Sequence, residues 1–263
     1  MAESTLTLGY PEFQVEVADY LGFDTTTANW DAATTARVDR IIQSGLRQFY
    51  FPPPIPGLPR HEWSFLKAAR GTITLAASDY AYDMPDDYGG QEVGFTYAAT
   101  DYVYHTVPIV PEGTVLALRS GDTAESDPSC AAIRPKASTG GTTGHRFEVI
   151  FYPTPSTTRT LTYPYKVLCN KIATGSPYAL GGMNHSETIK ASCRAVAERE
   201  KNDDRGVEWT NFTERLLASI QQDQREHSPH RFGYNGDHSD SRGWPHNHEL
   251  VVTVNGVTPI SPT

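Results

Sequence analysis

The sequence has no apolar run approaching the roughly 20 residues that cross a bilayer, so no membrane span is expected. Cysteine is scarce. Cys130, Cys169 and Cys193 are odd in number and lack the close spacing of a metal site, and reduced, structural thiols are the expectation. Positive charge is also short: 22 Lys and Arg stand against 31 Asp and Glu, a net charge of −9. Affinity for a polyanion comes mainly from phosphate neutralisation by Lys and Arg, so this balance excludes a general nucleic-acid binder. It leaves room for a protein past which nucleic acid merely moves. Met1-Ala2-Glu3-Ser4 lacks the basic region and apolar run of a signal peptide, and a soluble protein made in a cytoplasm is expected. There is no Gly-x-Ser-x-Gly elbow, no Gly-x-x-x-x-Gly-Lys loop, no His-Glu-x-x-His and no internal repeat. The residues alone therefore give no enzyme, no catalytic residue and no cofactor.

What is plentiful is Thr, Ser, Gly, Pro and Tyr, a mixture that favours strands and turns over an all-helical chain. Helical periodicity is confined to the two ends. Near the start, Pro11 suits a first turn, Phe13, Val17, Tyr20 and Leu21 form a short apolar face, and Gly22 is a stop. Asp31 or Thr34 can cap a second helix, in which Val38, Ile41, Ile42, Leu46 and Phe49 share one stripe until Phe51-Pro52-Pro53-Pro54 ends it. A single further turn is expected at His61–Lys67. Much later, Asn184–Glu226 reads as a helical hairpin. Asn184 and Glu187 have capping-box spacing; Ile189, Cys193, Val196 and Ala197 form one stripe, and Trp209, Phe212, Leu216, Leu217 and Ile220 another. Asn202–Gly206 is the polar break between them. Lys190, Arg194, Glu198, Arg199, Glu200, Glu214 and Arg215 are assigned to the wet face. None of these stripes can bury itself, and each is the best partner for those at the other end of the chain.

From Gly71 the period changes to two. Ile73 and Leu75, then Tyr80, Tyr82 and Met84, then Leu116 and Leu118, then Phe147, Val149 and Phe151, then Leu161, Tyr163, Tyr165 and Val167 alternate with polar residues, threonine outward. Gly- and Pro-rich turn clusters separate them. This predicts an antiparallel sandwich or barrel with one solvated face. The expected fold is α+β: a small helical bundle with an inserted antiparallel β-sandwich or barrel and an extended C-terminal arm. Residues 1–70 and 176–226 make the bundle, 71–175 the β insertion, and 227–263 the arm.

Other chemistry is weighed and set aside. Five histidines crowd the tail (His227, His230, His238, His246 and His248), but their spacing matches no common zinc pattern, and no metal site is expected. Asp86-Asp87 and Asp203-Asp204 are paired acids in turns, where Asp bonds its own backbone. Ser138–Gly144 reads as a flexible hairpin loop, and Trp63, Phe65, Tyr80 and Tyr82 as packing aromatics ahead of a sugar platform. In the arm, Trp244 and the run Leu250-Val251-Val252-Thr253-Val254 are apolar and β-prone beyond a polar stretch. Such a segment gains by adding as a strand to another chain's edge, or packs as an edge strand on its own β region.

One ordered set of motifs resembles a known family. Trp30, then Val38-x-x-Ile41-Ile42 leading into Phe49-Tyr50-Phe51-Pro52-Pro53, then Trp63-Ser64-Phe65-Leu66, then Tyr82-Asp83-Met84-Pro85-Asp86-Asp87-Tyr88, then Glu187–Glu200 and Leu216–Ile220 is similar to the head-to-tail adaptor proteins of tailed bacteriophages, over about residues 13–226. The resemblance implies a non-enzymatic virion protein of the neck: a homo-oligomeric ring, twelve copies in that family, between the portal protein and a downstream tail, stopper or nozzle protein. Double-stranded DNA would pass through it transiently, and no membrane is involved. Trp244, Leu250, Val251, Val252 and Val254 would then bind the portal or a neighbouring subunit. Two readings from other classes stand beside it. A β-rich receptor- or glycan-binding tail module requires exposed aromatics, and a cell-wall hydrolase requires His105 or His145 beside carboxylates in a cleft.

Overall fold

The computed structural model describes residues 3–54, 60–101, 103, 105–122, 125–136 and 146–227. The arm residues Trp244, Leu250, Val251, Val252 and Val254, the Ser138–Gly144 loop and His145 lie outside the described residues.

The first helix, α1 (Tyr10–Leu21), opens with Pro11 in its first turn and with the Glu12 carboxylate accepting from Gly9 N at 3.0 Å. It ends on Gly22, whose φ of +80° closes the last turn in the left-handed region that glycine enters without strain. In α2 (Ala32–Tyr50) the cap is Asp31, whose Oδ1 accepts from Thr34 N at 2.7 Å. A one-turn 3₁₀ helix, Ser64–Lys67, leads to β1 (Ala69–Leu75), β2 (Ala81–Asp83), β3 (Phe95–Tyr97) and β4 (Thr106–Val107). Then follow α3 (Glu112–Gly121), β5 (Cys130–Pro135), β6 (Phe147–Tyr152), β7 (Arg159–Tyr165), α4 (Gly182–Asn202) and α5 (Val207–His227). Among the described residues the fold is α+β, with five α-helices and two antiparallel sheets in the orders β1-β7-β3-β4 and β2-β6-β5.

Two large apolar clusters hold most of the buried side chains, and a small third one joins Val115, Ala132 and Ile150. One gathers Phe13 and Val17 of α1, the α2 stripe Val38, Ile41, Ile42, Leu46 and Phe49, Trp63 and Leu66, Ile189, Cys193 and Val196 of α4, and Phe212, Leu216 and Ile220 of α5. The other takes inward residues from both sheets, including Ile73, Leu75, Phe95, Leu161 and Tyr163 from the first and Val149 and Phe151 from the second. Helix α4 packs against both α1 and α2. Ser192 Oγ donates to Gly45 O at 2.8 Å, and Thr188 Oγ1 and Ser219 Oγ share a hydrogen bond of 2.6 Å. Gly45 is required here, because a Cβ at that position would lie 2.8 Å from Cys193 Cα and 2.7 Å from its Sγ.

The structure corrects five expectations. Leu116 and Leu118 are on a helix. Pro111 sits at its N-cap, Glu112 favours the first turn and Leu116-Ala117-Leu118-Arg119 are good helix formers, so the residue that turns inward is Val115, while Leu116 and Leu118 are 46% and 40% exposed. The first half of the hairpin starts at Gly182, two residues before the expected capping box, because Gly181 and Gly182 at φ +105° and +58° turn the chain into it. Glu187 instead pairs with Lys190 at 3.0 Å. Glu198 is buried: its carboxylate accepts from Gly206 N at 3.0 Å and Trp209 N at 3.2 Å, satisfying donors at the start of α5. Trp209 lies half-buried at the rim of the first cluster, with Arg205 4.2 Å over its ring. No sheet closes into a barrel among the described residues, since β1 does not meet β4 and β2 does not meet β5.

These contacts set a stability expectation. Ile42→Ala or Leu216→Ala removes a fully buried side chain and is expected to cost about 2–5 kcal/mol in urea unfolding. Gly45→Ala, which adds a single methyl, is expected to cost about 1–3 kcal/mol by forcing α2 and α4 apart.

Candidate functional site

The densest polar constellation among the described residues joins the end of α5 to the turn before β1. Asp223, 3% exposed, accepts from His61 Nε2 at 2.9 Å, from Ser64 N at 3.1 Å and from Ser64 Oγ. Ser, His and Asp together invite a nucleophile reading, but the order is wrong for one. A serine nucleophile needs the imidazole between itself and the carboxylate, so that the ring can take its proton. Here the carboxylate sits in the middle, and the hydroxyl donates to Asp223 directly. The cluster also lies under aromatic cover: Trp63 is fully buried, stacked 4.5 Å from Phe49 and edge-on to His61 at 4.8 Å. The arrangement is an anchor. Its signal in the sequence was slight, a lone Asp in a Gln-rich helical end.

The remaining chemical candidates fall apart in space. His105 Nε2 lies 3.1 Å from Pro128 O and packs edge-on against Tyr97, so its partner is a backbone carbonyl where a hydrolase would need a carboxylate. Asp86 pairs with Arg146 at 3.3 Å, and Asp87 accepts from Tyr165 Oη at 3.2 Å. Asp203 closes α4 in the left-handed region, and Asp204 Oδ1 accepts from Arg205 N at 2.7 Å. The four aromatics form no platform. Trp63 is in the core, Phe65 stacks on it at 5.5 Å, Tyr82 turns its hydroxyl to the Ala76 backbone, and Arg119 covers Tyr80 with its guanidinium 3.6 Å from the ring centroid.

A network of charged residues lines the outer side of α4 with α1 and α5. Lys190 pairs with Glu187 at 3.0 Å, Arg194 with Glu208 at 3.0 Å and Glu16 at 3.6 Å, and Arg215 with Glu187 at 3.7 Å. Lys190, Arg194 and Arg215 are thus neutralised by acids of the same chain, and Glu214 adds further negative charge to the concave surface these residues line. Half-exposed ion pairs of this kind add little stability. Their effect is on the field, which offers no run of unpaired cations to a polyanion.

The cysteines are electrostatically quiet. Burial pushes the Cys193 thiol up to about 12 and Cys169 up to about 11, and raises Cys130 as well. No group of three or more metal-ligating side chains is assembled among the described residues. Nor is any helix among them long and apolar enough to cross a membrane.

No protein-family profile matches the chain, and no curated protein matches it.

Two outcomes follow from this chemistry. Asp223→Ala leaves the His61 ring nitrogen and two Ser64 donors without their buried acceptor, and is expected to cost about 3 kcal/mol, read as a lower urea midpoint at unchanged slope. At pH 8 the fully buried Cys193 thiol is expected to react with a thiol reagent only as fast as the protein opens, later than the partly exposed Cys130 and Cys169, whereas all three react at once in denaturant.

Proposed function

We propose that this chain is a head-to-tail adaptor of a tailed bacteriophage: a virion structural protein of the neck, without catalytic activity or cofactor, that forms a homo-oligomeric ring between the portal and the next tail component. The observation that carries the reading is the shared apolar cluster, in which helices from both ends of the chain meet around α4 while the strands between them supply a second cluster. We read this as a small helical bundle with an inserted antiparallel sandwich, the arrangement the resemblance implies.

The charge supports the same conclusion. A conduit must let double-stranded DNA slide, and each phosphate neutralised by a free cation would add affinity through counterion release. On the α4 and α5 surface Lys190, Arg194 and Arg215 are already held by Glu16, Glu187 and Glu208. The segment 227–263 is the arm of the proposal, with Trp244, Leu250, Val251, Val252 and Val254 as its contact residues toward the portal or a neighbouring subunit.

Solution mass decides the class. Light scattering and negative-stain images of the purified protein are expected to give closed rings of about twelve copies, on the resemblance and on the closure that head-to-tail contacts require. A monomer at all concentrations, or a trimeric fibre, would overturn the reading.

A further inference from the structure

The two sheets have four edges, and among the described residues three are blunted in ways that prevent strand addition. Strand β4 is two residues long and runs into Pro108; β2 is three residues long. Residues 108–110 cover β5 at Ala131, whose N donates to Pro108 O at 3.0 Å and whose O accepts from Val110 N at 2.8 Å. Farther along the same side, Pro135 has no N–H to offer. Among the described residues, the edge of β1 has none of these devices over seven residues.

The direction of its backbone groups follows from the pairing. Thr160 N donates to Asp101 Oδ2 and Thr160 O accepts from Ala98 N, both beyond β3, so the even residues of β7 bond toward β3 and the odd ones toward β1. The registered partners of those odd residues are Ala69, Gly71, Ile73 and Leu75. Arg70, Thr72 and Thr74 therefore present N–H and C=O to the outer side. At the next even position the rung is already filled: Tyr82 Oη accepts from Ala76 N at 2.8 Å and donates to Ala76 O at 3.2 Å.

The solvent face beside this edge is equally regular. Thr72, Thr162, Thr96 and Thr106 are registered neighbours and form one row across all four strands, each exposed. Arg70 is the one charged side chain of β1, and it is exposed. An added strand must bring an acid to Arg70, β-branched or small residues to Thr72 and Thr74, and apolar residues to the face of Gly71, Ile73 and Leu75.

This chain contains such a strand. In Glu249-Leu250-Val251-Val252-Thr253-Val254, a parallel register sets Glu249 beside Arg70, Val251 beside Thr72 and Thr253 beside Thr74, and leaves Leu250, Val252 and Val254 on the side of the buried face. We propose that the free edge of β1 accepts residues 249–254 of a second copy as an added strand. The 22 positions from His227 to Glu249 span up to about 75 Å when extended, ample for a neighbour. The inference rests on the arm reading above and names β1 as its acceptor.

The test mixes two full-length chains, one carrying Thr72→Cys and the other Val251→Cys and a mass tag, under mild oxidation. Facing residues on paired strands stand about 5 Å apart, within disulfide reach. The expected result is a disulfide-linked heterodimer that forms in the mixture, is absent from either chain alone, and is lost when Thr74→Pro is added to the Thr72→Cys chain. Thr74 points its N–H outward, so that proline spares the β1–β7 ladder, and unchanged thermal melting checks this. Three results overturn the proposal: no heterodimer; a dimer of the Thr72→Cys chain alone, the mark of two β1 edges pairing; or an intrachain bond in place of the dimer when both cysteines are in one chain. Rings by light scattering without the cross-link would sink this inference and leave the adaptor reading standing. The cross-link without rings would do the reverse.

Discussion

The close approach of α2 to α4 is the contact on which the rest of the structure depends. It joins Gly45 to Cys193, residues far apart in sequence, and the stripes of both helices are buried in the cluster it opens. Helix α4 meets this demand with small residues. Ala191, Ser192, Cys193, Ala195 and Ala197 are all buried, and they let backbones approach where leucines would hold them apart. Serine in such a place would cost stability if its hydroxyl were unpaired, but Ser192 donates to Gly45 O and so ties the two helices at their nearest point. The length of chain enclosed by this contact matters little, because closure entropy grows only with the logarithm of loop length. A large β-rich region can thus sit between α2 and α4 without straining the helices, and it buries its inward residues in a cluster of its own.

Much of this was legible in the sequence, for a physical reason. Where one face of an element is buried, its period is written in apolar residues. The stripe Val38, Ile41, Ile42, Leu46 and Phe49 gave α2, and Asp31 and Gly22 marked ends whose capping is local chemistry. Period-two reading found β1, β6 and β7 through Ile73 and Leu75, Phe147 to Phe151, and Leu161 to Tyr163. It failed at α3, which touches the sheets mainly through Val115 and shows Leu116 and Leu118 to solvent, so that its apolar residues report no buried face. It missed β3 and β4, too short for two or three alternations to stand out.

The candidate sites were less legible than the fold, because they depend on pairings that cross the sequence. Threonine was expected on the outer face, but a row of four requires the order β1-β7-β3-β4, in which strands separated by many residues become neighbours. Glu198 was placed on the wet face by helical spacing alone. Its burial follows from the loop at Gly206, which brings two free N–H groups to its carboxylate and makes a buried charge tolerable. Asp223 is the same case at the other end of α5. A carboxylate in the polar end of a helix reads as solvated until the chain supplies Ser64 and His61 from a remote turn.

Those two buried carboxylates bear on what the β1 edge can do. Glu198 fixes the start of α5 and Asp223 fixes its end against the turn at Ser64, from which β1 begins five residues later. Strand β1 is therefore held along its length by β7 and near its first residue by a buried polar anchor, with Gly71 packed under the Tyr163 ring. A rigid edge loses little freedom when a strand is added to it, and the cost of ordering falls on the incoming segment alone. A mobile edge would incur it twice. The anchor that makes no sense as a catalytic triad ties the chain just before β1 to α5, and in the proposed strand addition it would hold the start of the accepting edge.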